Sequence, residues 1–411
     1  MGLVLPGCTG LINSQPRVIG TIKIGADLPL SGDDAPDGIP VKNAIGLAIE
    51  QAGQVCGAAS HTDACVTLQP VFVDDVNKGI HDPARGAANV QALLSDARLV
   101  GMVGPLYDSV AKSEIPVANA ARLALVSPAN TDECLTQEPR DGRCRGLAAR
   151  LRPHGPNNYF RVVTTRVAEG AAGADLARKT LGARRGFVIN DQTPSGTALA
   201  AEFAGRFRRD GGAIVNPQDL GAFDPAHPPS FRDQVTQART LHADVVYFAG
   251  SDLVAAAALR REMSAQMPQL PLVASDRLGN DQFAKSAGAA VSGSYYTLVG
   301  VDPTHVNGAT AFLRDYHKAY AGEPTGLSLQ AFDATNLLIR AVGQAIDDAG
   351  GNVPSRQQVL SAIARTQDLA GLMGRLGFDA HGDSTLKVLT AYQWMAPTEP
   401  AGHFTATIVV S

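Results

Sequence analysis

The side chains of this chain that could carry covalent or metal chemistry are few, and their spacing is informative. Cysteines stand at 8, 56, 65, 134 and 144, and histidines at 61, 81, 154, 227, 242, 305, 317, 381 and 403. No C-x-x-C knuckle occurs and no histidine pair stands at ligand spacing beside a cysteine, which argues against a zinc ribbon and a thioredoxin-type redox motif. A serine hydrolase of the α/β type needs a G-x-S-x-G elbow after a strand, and the chain has none. Neither GxxxxGK[ST] nor a GxGxxG opening a helix after a strand is present. No acidic run has the spacing of a calcium loop. The reading is therefore a protein that is not an enzyme and uses neither metal nor cofactor.

What the cysteines offer instead is bracing. Cys56 and Cys65, like Cys134 and Cys144, bound short excursions rich in Gly, Asp, Pro or Ser. Such composition belongs to surface loops between core elements. Closing a loop of about ten residues stabilises a fold by about 2.7 kcal/mol in the chain-entropy model. Disulfides Cys56–Cys65 and Cys134–Cys144 in an oxidising compartment are expected, the alternative being four free thiols in a reducing one. Cys8 follows Leu3-Val4-Leu5-Pro6-Gly7, a short apolar run ending in a small residue. It looks like the tail of a bacterial lipoprotein signal, with Cys8 the lipidated residue and residues 1–20 a signal remnant and tether; the alternative is a plain N-terminal tail.

The elements that position these residues alternate in type. The 411 residues are 45% hydrophobic and 18% charged with a net charge of -4, which suits a globular chain with ample core and gives no basic footprint for nucleic acid. No apolar run reaches the length of a membrane span. Strand patterns at Thr21–Ala26, Val66–Val73, Leu99–Val103 and Ala124–Val126 alternate with helical ones at Ile39–Ala52, from Asp82-Pro83 onward and at Ser109–Leu123. The pattern restarts at Tyr159–Val163 and runs through strands at Gly186–Asn190, Val245–Ala249 and Leu270–Ala274, with helices between. Late helices at Ala309–Tyr320, Leu327–Ile346 and Arg356–Arg365 precede a strand-rich tail with Gly377–Asp379, Lys387–Trp394 and Thr405–Val410. The fold class is α/β, two doubly wound parallel-sheet lobes with a cleft between them. Ligands in such sheets sit beyond the carboxyl ends of the strands. The loops to inspect are then Leu28–Gly38, Gly104–Ser109, Ser127–Thr131, Asp191–Gly196, Gly250–Asp252 and Ser275–Gly279, all polar and small.

Those loops carry I-K-I-G-A-D-L-P-L-S-G at 22–32, V-D-D then D-P at 73–83, V-G-M-V-G-P at 100–105, L-V-S-P-A-N-T at 125–131, A-D-V-V-Y-F-A-G at 243–250 and G-F-D-A-H-G-D at 377–383. In this order they resemble the type I periplasmic solute-binding proteins of branched-chain amino-acid ABC transporters, the leucine/isoleucine/valine-binding group, over Ile22–Met395. The resemblance implies three hinge crossings between the lobes, expected near Tyr159, Tyr295–Val301 and Gly374–Phe378. Lobe 1 would span residues 21–157 and lobe 2 residues 158–298, with 299–373 returning to lobe 1 and 374–411 to lobe 2. It further implies an exported monomer, periplasmic or at the cell surface, whose lobes close on an amino acid or similar small polar solute before docking on an ABC permease. The same fold also serves as a ligand-sensing module, which is the alternative.

The resemblance assigns the ligand carboxylate to Tyr107, Asp108 and Ser109, to Ala129 through backbone groups, and to the Thr131 hydroxyl. A carboxylate at Asp108 would repel that ligand, so Asp108 either caps the helix that follows or marks a different solute. The ammonium end falls to Asp276, unless Asp276 is simply a surface partner of Arg277. Ser195 and Ser251 stand where the family often carries tyrosine, and Asp37 where an aromatic often covers the ligand. The pocket is expected to be roomier and more polar than one for leucine.

Overall fold

A computed structural model describes residues 17–58, 63–139, 142–216, 221–224, 230–398 and 402–410; Cys8 lies outside them. Two sheets dominate. In spatial order the first is Gln54–Cys56, Ala64–Asp74, Arg17–Leu28, Leu99–Val103, Ala124–Ser127 and Tyr159–Arg161, parallel except for the Gln54–Cys56 edge. The second runs Ala213–Ile214, Arg185–Asn190, Val245–Ala249, Leu272–Ala274, Ser294–Val299, Val388–Trp394 and His403–Val409. Its first five strands are parallel and its last two antiparallel.

Helices cover both faces of each sheet, so central strands read as unbroken apolar runs. Every residue of Leu99–Val103 and of Val245–Ala249 is buried. At Gly101 a methyl group would come within 2.8 Å of the Leu338 side chain, so a larger residue there would displace Leu338 of the long helix Gly326–Asp348 that lies against this strand. That helix and Arg356–Ala364 join Ala35–Ala52 in one core on the first sheet, while its other face packs Asp108–Ala120. Asp82 caps the helix Pro83–Leu93 by accepting from the Arg85 amide at 2.9 Å, the role that its place before proline dictates.

The structure pairs Cys56 with Cys65 and Cys134 with Cys144. Cys56 and Cys65 face each other across antiparallel strands; the three-residue strand Gln54–Cys56 is too short to stand out as a pattern.

Several boundaries differ from expectation. The first strand begins at Arg17, so residues 17–20 belong to the sheet and not to a tether; Arg17 pairs with Ala64 at its start. Of the segments expected to hold hinges, Tyr159 opens a strand of the first sheet, as its own pattern indicates, and Tyr295–Val301 is a strand of the second sheet as far as Val299. Gly374–Phe378 also stays with the first lobe: Arg375–Leu376 pairs with Leu369–Ala370, and Leu376 and Phe378 enter the first-lobe core. The chain passes between the sheets after Arg161, after Val299, within the expected Tyr295–Val301, and after Phe378; a paired edge strand and a crossing are both extended and share one sequence pattern. The expected strand Gly377–Asp379 is reduced to a bridge from Phe378 to Ser384.

The first and third crossings are locked together by Arg161, whose side chain has no exposed surface. Its Nε donates to Asp383 at 2.6 Å, its Nη1 to the carbonyls of Asn130 and Asp132 at 3.2 and 2.8 Å, and its Nη2 to Thr136. Asp383 also accepts from Thr136 at 3.0 Å and Gln137 at 2.5 Å. Burial opposes the Arg161 charge, but Asp383 then raises its pKa above the ordinary value. Removing one partner of a buried pair strands the other charge, which costs about 3–5 kcal/mol. Asp383→Ala is expected to destabilise the protein by that amount in urea unfolding, and a loss under about 1 kcal/mol would show that the pair does not hold the crossings.

Candidate functional site

The carboxyl ends of both sheets face a common cleft, and the loops there show where each expected residue falls. Tyr107 is the N-cap residue of the helix Asp108–Ala120. Its ring stacks on His81 at 3.6 Å between centroids, and its hydroxyl donates to Asp37 at 2.8 Å. His81 is in turn fixed by Asp34, 2.8 Å from Nδ1, which also accepts the His81 amide at 2.9 Å. Asp37 thus anchors an aromatic instead of replacing one. Sequence reasoning misses His81 because the loop after Ala64–Asp74 looks like a mere lead-in to the capped helix.

Asp108 is not the helix cap. It is the first helical residue, and its Oδ1 accepts from the amides of Thr131 at 3.1 Å and Asp132 at 3.3 Å. Burial pushes its pKa up, against the bond from the Asp132 amide. The Ala129 amide donates to Ser127 Oγ at 3.2 Å. The Ala129 backbone donor expected to hold a ligand carboxylate thus has an acceptor within the protein, as does the Thr131 amide. Ser109 is exposed on the helix.

Two cavities fill the cleft. One, of about 320 Å³, is lined from the first lobe by Asp108, Lys112 and Thr131, and from the second by Pro194 and Ser195, with Arg166 between. The other, of about 250 Å³, is lined by Ser195, Ser251, Ser275, Asp191, Arg166 and Arg277, among others. The structure therefore brings Asp108, Thr131 and Ser195 together, and Ser195 with Ser251. Tyr107, Ser109, Ala129 and Asp276 line neither.

Asp276 sits lower because its amide donates to the buried Glu169 at 2.7 Å. Its carboxylate lies 3.7 Å from Arg166, and it is this residue, not Arg277, that pairs with it. Burial opposes the Arg166 charge, while Asp276, Glu169, Asp108 and Asp132 raise its pKa above the ordinary value. Arg166 escapes sequence reasoning because it lies past a strand end, on a crossing whose course the pattern does not reveal. Glu169, in the helix Ala168–Asp175, escapes it because its bond to the Asp276 amide is a contact distant in sequence. Among the described residues no group of His, Cys, Asp and Glu is placed to hold a metal ion.

Beneath the first-lobe loops lie Asp27, Asp75 and Glu114, all buried. Asn89 donates to Asp27 at 2.9 Å, and neither oxygen of Asp75 has a hydrogen-bond partner. Burial, then the charge of Asp27, pushes Asp75 up to about 7. Burial likewise carries Asp27 to about 6 and Glu114 well above the carboxylate range. An unfolded aspartate releases its proton near pH ~3.9, so the folded state binds more protons above that value and loses stability as pH rises toward 7. Asp75→Asn removes one such proton. Its melting temperature relative to wild type is expected to rise between about pH 4.5 and 7.5, and a constant difference would contradict the burial of a protonated Asp75.

Residues 21–396 match the family model for a periplasmic binding protein. A Leu/Ile/Val-binding protein homologue of Brucella abortus is 22% identical over 382 residues, covering 91% of this chain and 90% of the relative. Among solved structures, the branched-chain amino-acid transporter substrate-binding protein LivJ of Streptococcus pneumoniae, in complex with isoleucine, aligns with a TM-score of 0.61 at 20% identity, covering 95% of this chain and 99% of that one. A solute-binding protein from R. palustris in complex with benzoate aligns at 0.56 and 19% identity, over 95% and 96%. These proteins are described by what they bind, not by a reaction, and with the family match spanning both sheets the chain belongs to the periplasmic binding proteins.

Proposed function

We propose that this protein is the extracytoplasmic solute-binding component of an ABC importer, capturing a small polar solute between its lobes. The observation that carries the reading is the cavity bounded by Asp108 and Thr131 on one lobe and by Pro194 and Ser195 on the other. A solute there touches both lobes, and interactions that form only as the lobes approach supply the differential affinity that closure requires. Similar proteins hold isoleucine and benzoate, and solutes of that size are the first to screen. Asp108, Thr131 and Ser195 line that space and Ser251 the adjoining cavity, while Tyr107, Ser109, Ala129 and Asp276, also read as ligand contacts from the sequence, lie outside both.

Two disulfides suit an exported chain, and no helix among the described residues is long and apolar enough to cross a membrane. Lipidation at Cys8 would hold the protein near its permease, to which it would present the closed form as a monomer.

A solute at about 100 times its dissociation constant stabilises the folded state by about 2.7 kcal/mol, so a thermal-shift screen of amino acids, amides and small acids finds candidates. With a hit at saturation, small-angle scattering is expected to show the radius of gyration falling. An unchanged radius with the solute bound would sink the clamp mechanism.

A further inference from the structure

The charges in the cleft are unevenly committed, and the imbalance bears on the solute. On the first lobe the amides of Ala129 and Thr131 already donate to Ser127 and Asp108. Lys112 is paired with Asp132 and Arg143 with Glu133, each at 2.8 Å. The carboxylates are committed too. In the second-lobe cavity the lining acid is Asp191. Its Oδ1 accepts from the amide and hydroxyl of Thr193 at 3.1 and 2.6 Å, and its Oδ2 accepts the Ser251 amide at 3.1 Å. Asp276 does not line the cavity and faces Arg166. The lining acids Asp191, Asp132 and Glu133 are each engaged, and Asp108 has one oxygen held by two amides. Asp276 Oδ1 and Glu169 Oε1, buried without a hydrogen-bond partner, line neither cavity.

Donors are in surplus. Arg277 lines the same cavity, is exposed, and makes no ion pair among the described residues. Arg166 has a buried Nε without a hydrogen-bond partner, and its nearest carboxylates, Asp276 and Glu169, stand at 3.7 and 3.9 Å, beyond hydrogen-bond length. Ser195 and Ser251 line the cavity, and the helix Pro194–Arg209 starts at its rim. A guanidinium fork beside hydroxyls matches the two oxygens of a carboxylate, and the helix terminus favours the same sign.

We propose, building on the solute-capture reading, that the solute is an organic acid lacking an ammonium group, its carboxylate held in the second lobe by Arg166 and Arg277 with the hydroxyls of Ser195 and Ser251. The rest of the solute extends toward Thr131. Arg166 lines both cavities, so an anion paired with it occupies the junction of the lobes.

The test is calorimetry on the full chain with benzoate, 4-methylpentanoate and succinate, each beside its amide, and with leucine and 3-methylbutylamine as the amino-acid and amine counterparts of 4-methylpentanoate. At least one acid is expected to bind at least about tenfold tighter than its amide. Arg277→Gln and Arg166→Gln should each weaken that acid about ten- to a hundredfold, and the exposed Arg277 should leave the melting temperature of the free protein unchanged. Leucine or 3-methylbutylamine binding more tightly than 4-methylpentanoate, no acid binding at all, or full affinity in both variants would overturn the assignment. If an amine or amino acid binds and shrinks the radius of gyration, solute capture stands and only the carboxylate is lost. If no solute of any charge raises the melting temperature, solute capture itself fails.

Discussion

A guanidinium with no exposed surface, that of Arg161, sits where the chain first leaves one sheet for the other. Taking such a charge out of water is tolerable only when its N–H groups find acceptors, and each partner is a different stretch of chain. Asp383 belongs to the third crossing; Asn130, Asp132 and Thr136 belong to the segment after Ala124–Ser127. Failure to place any of these leaves a buried charge without its full set of bonds. The approach of two crossings and the shape of the first-lobe loop are thus settled by one side chain.

The same side chain reaches the cleft through the planarity of peptides. In a trans peptide the C=O and N–H point in opposite directions. The Asn130 carbonyl accepts from Arg161, and the Thr131 amide of that peptide donates to Asp108 on the other side. In the next peptide the Thr131 carbonyl accepts from the Arg166 amide at 3.0 Å, and the Asp132 amide donates to Asp108. Two consecutive peptides are therefore held between the crossing on one side and Asp108 on the other. Asp108 occupies donors that a free carboxylate would otherwise claim, which is why its presence beside the cleft is compatible with a stable loop.

Sequence alone makes much of this legible where the cause is local. The Asp82-Pro83 helix start follows from capping geometry, Leu99–Val103 and Val245–Ala249 from burial on both faces, and the disulfide pairs from short polar loops. What stays hidden depends on partners distant in sequence. Arg161 meets Asp383 across 222 positions, and nothing near either residue announces the other. Tyr295 falls in an expected hinge because a strand that pairs only through tertiary contacts has the pattern of a linker. For Asp108 the residues alone leave a cap and a ligand contact as alternatives, and the structure gives a third role, acceptance of two amides from a neighbouring loop.

Arg166 shows why the position of a charge matters as much as its sign. It stands on the first crossing, its amide tied to Thr131 and its side chain to the acids of the second lobe. A cation within either lobe would attract a solute equally well with the cleft open or closed, and equal affinity for two states shifts neither. A cation on the connecting segment differs, because motion of one lobe changes its distance from groups on the other. On the proposed capture, pairing a solute with Arg166 would link the solute's charge to the angle between the lobes, because Arg161 and Asp383 hold two of the crossings together.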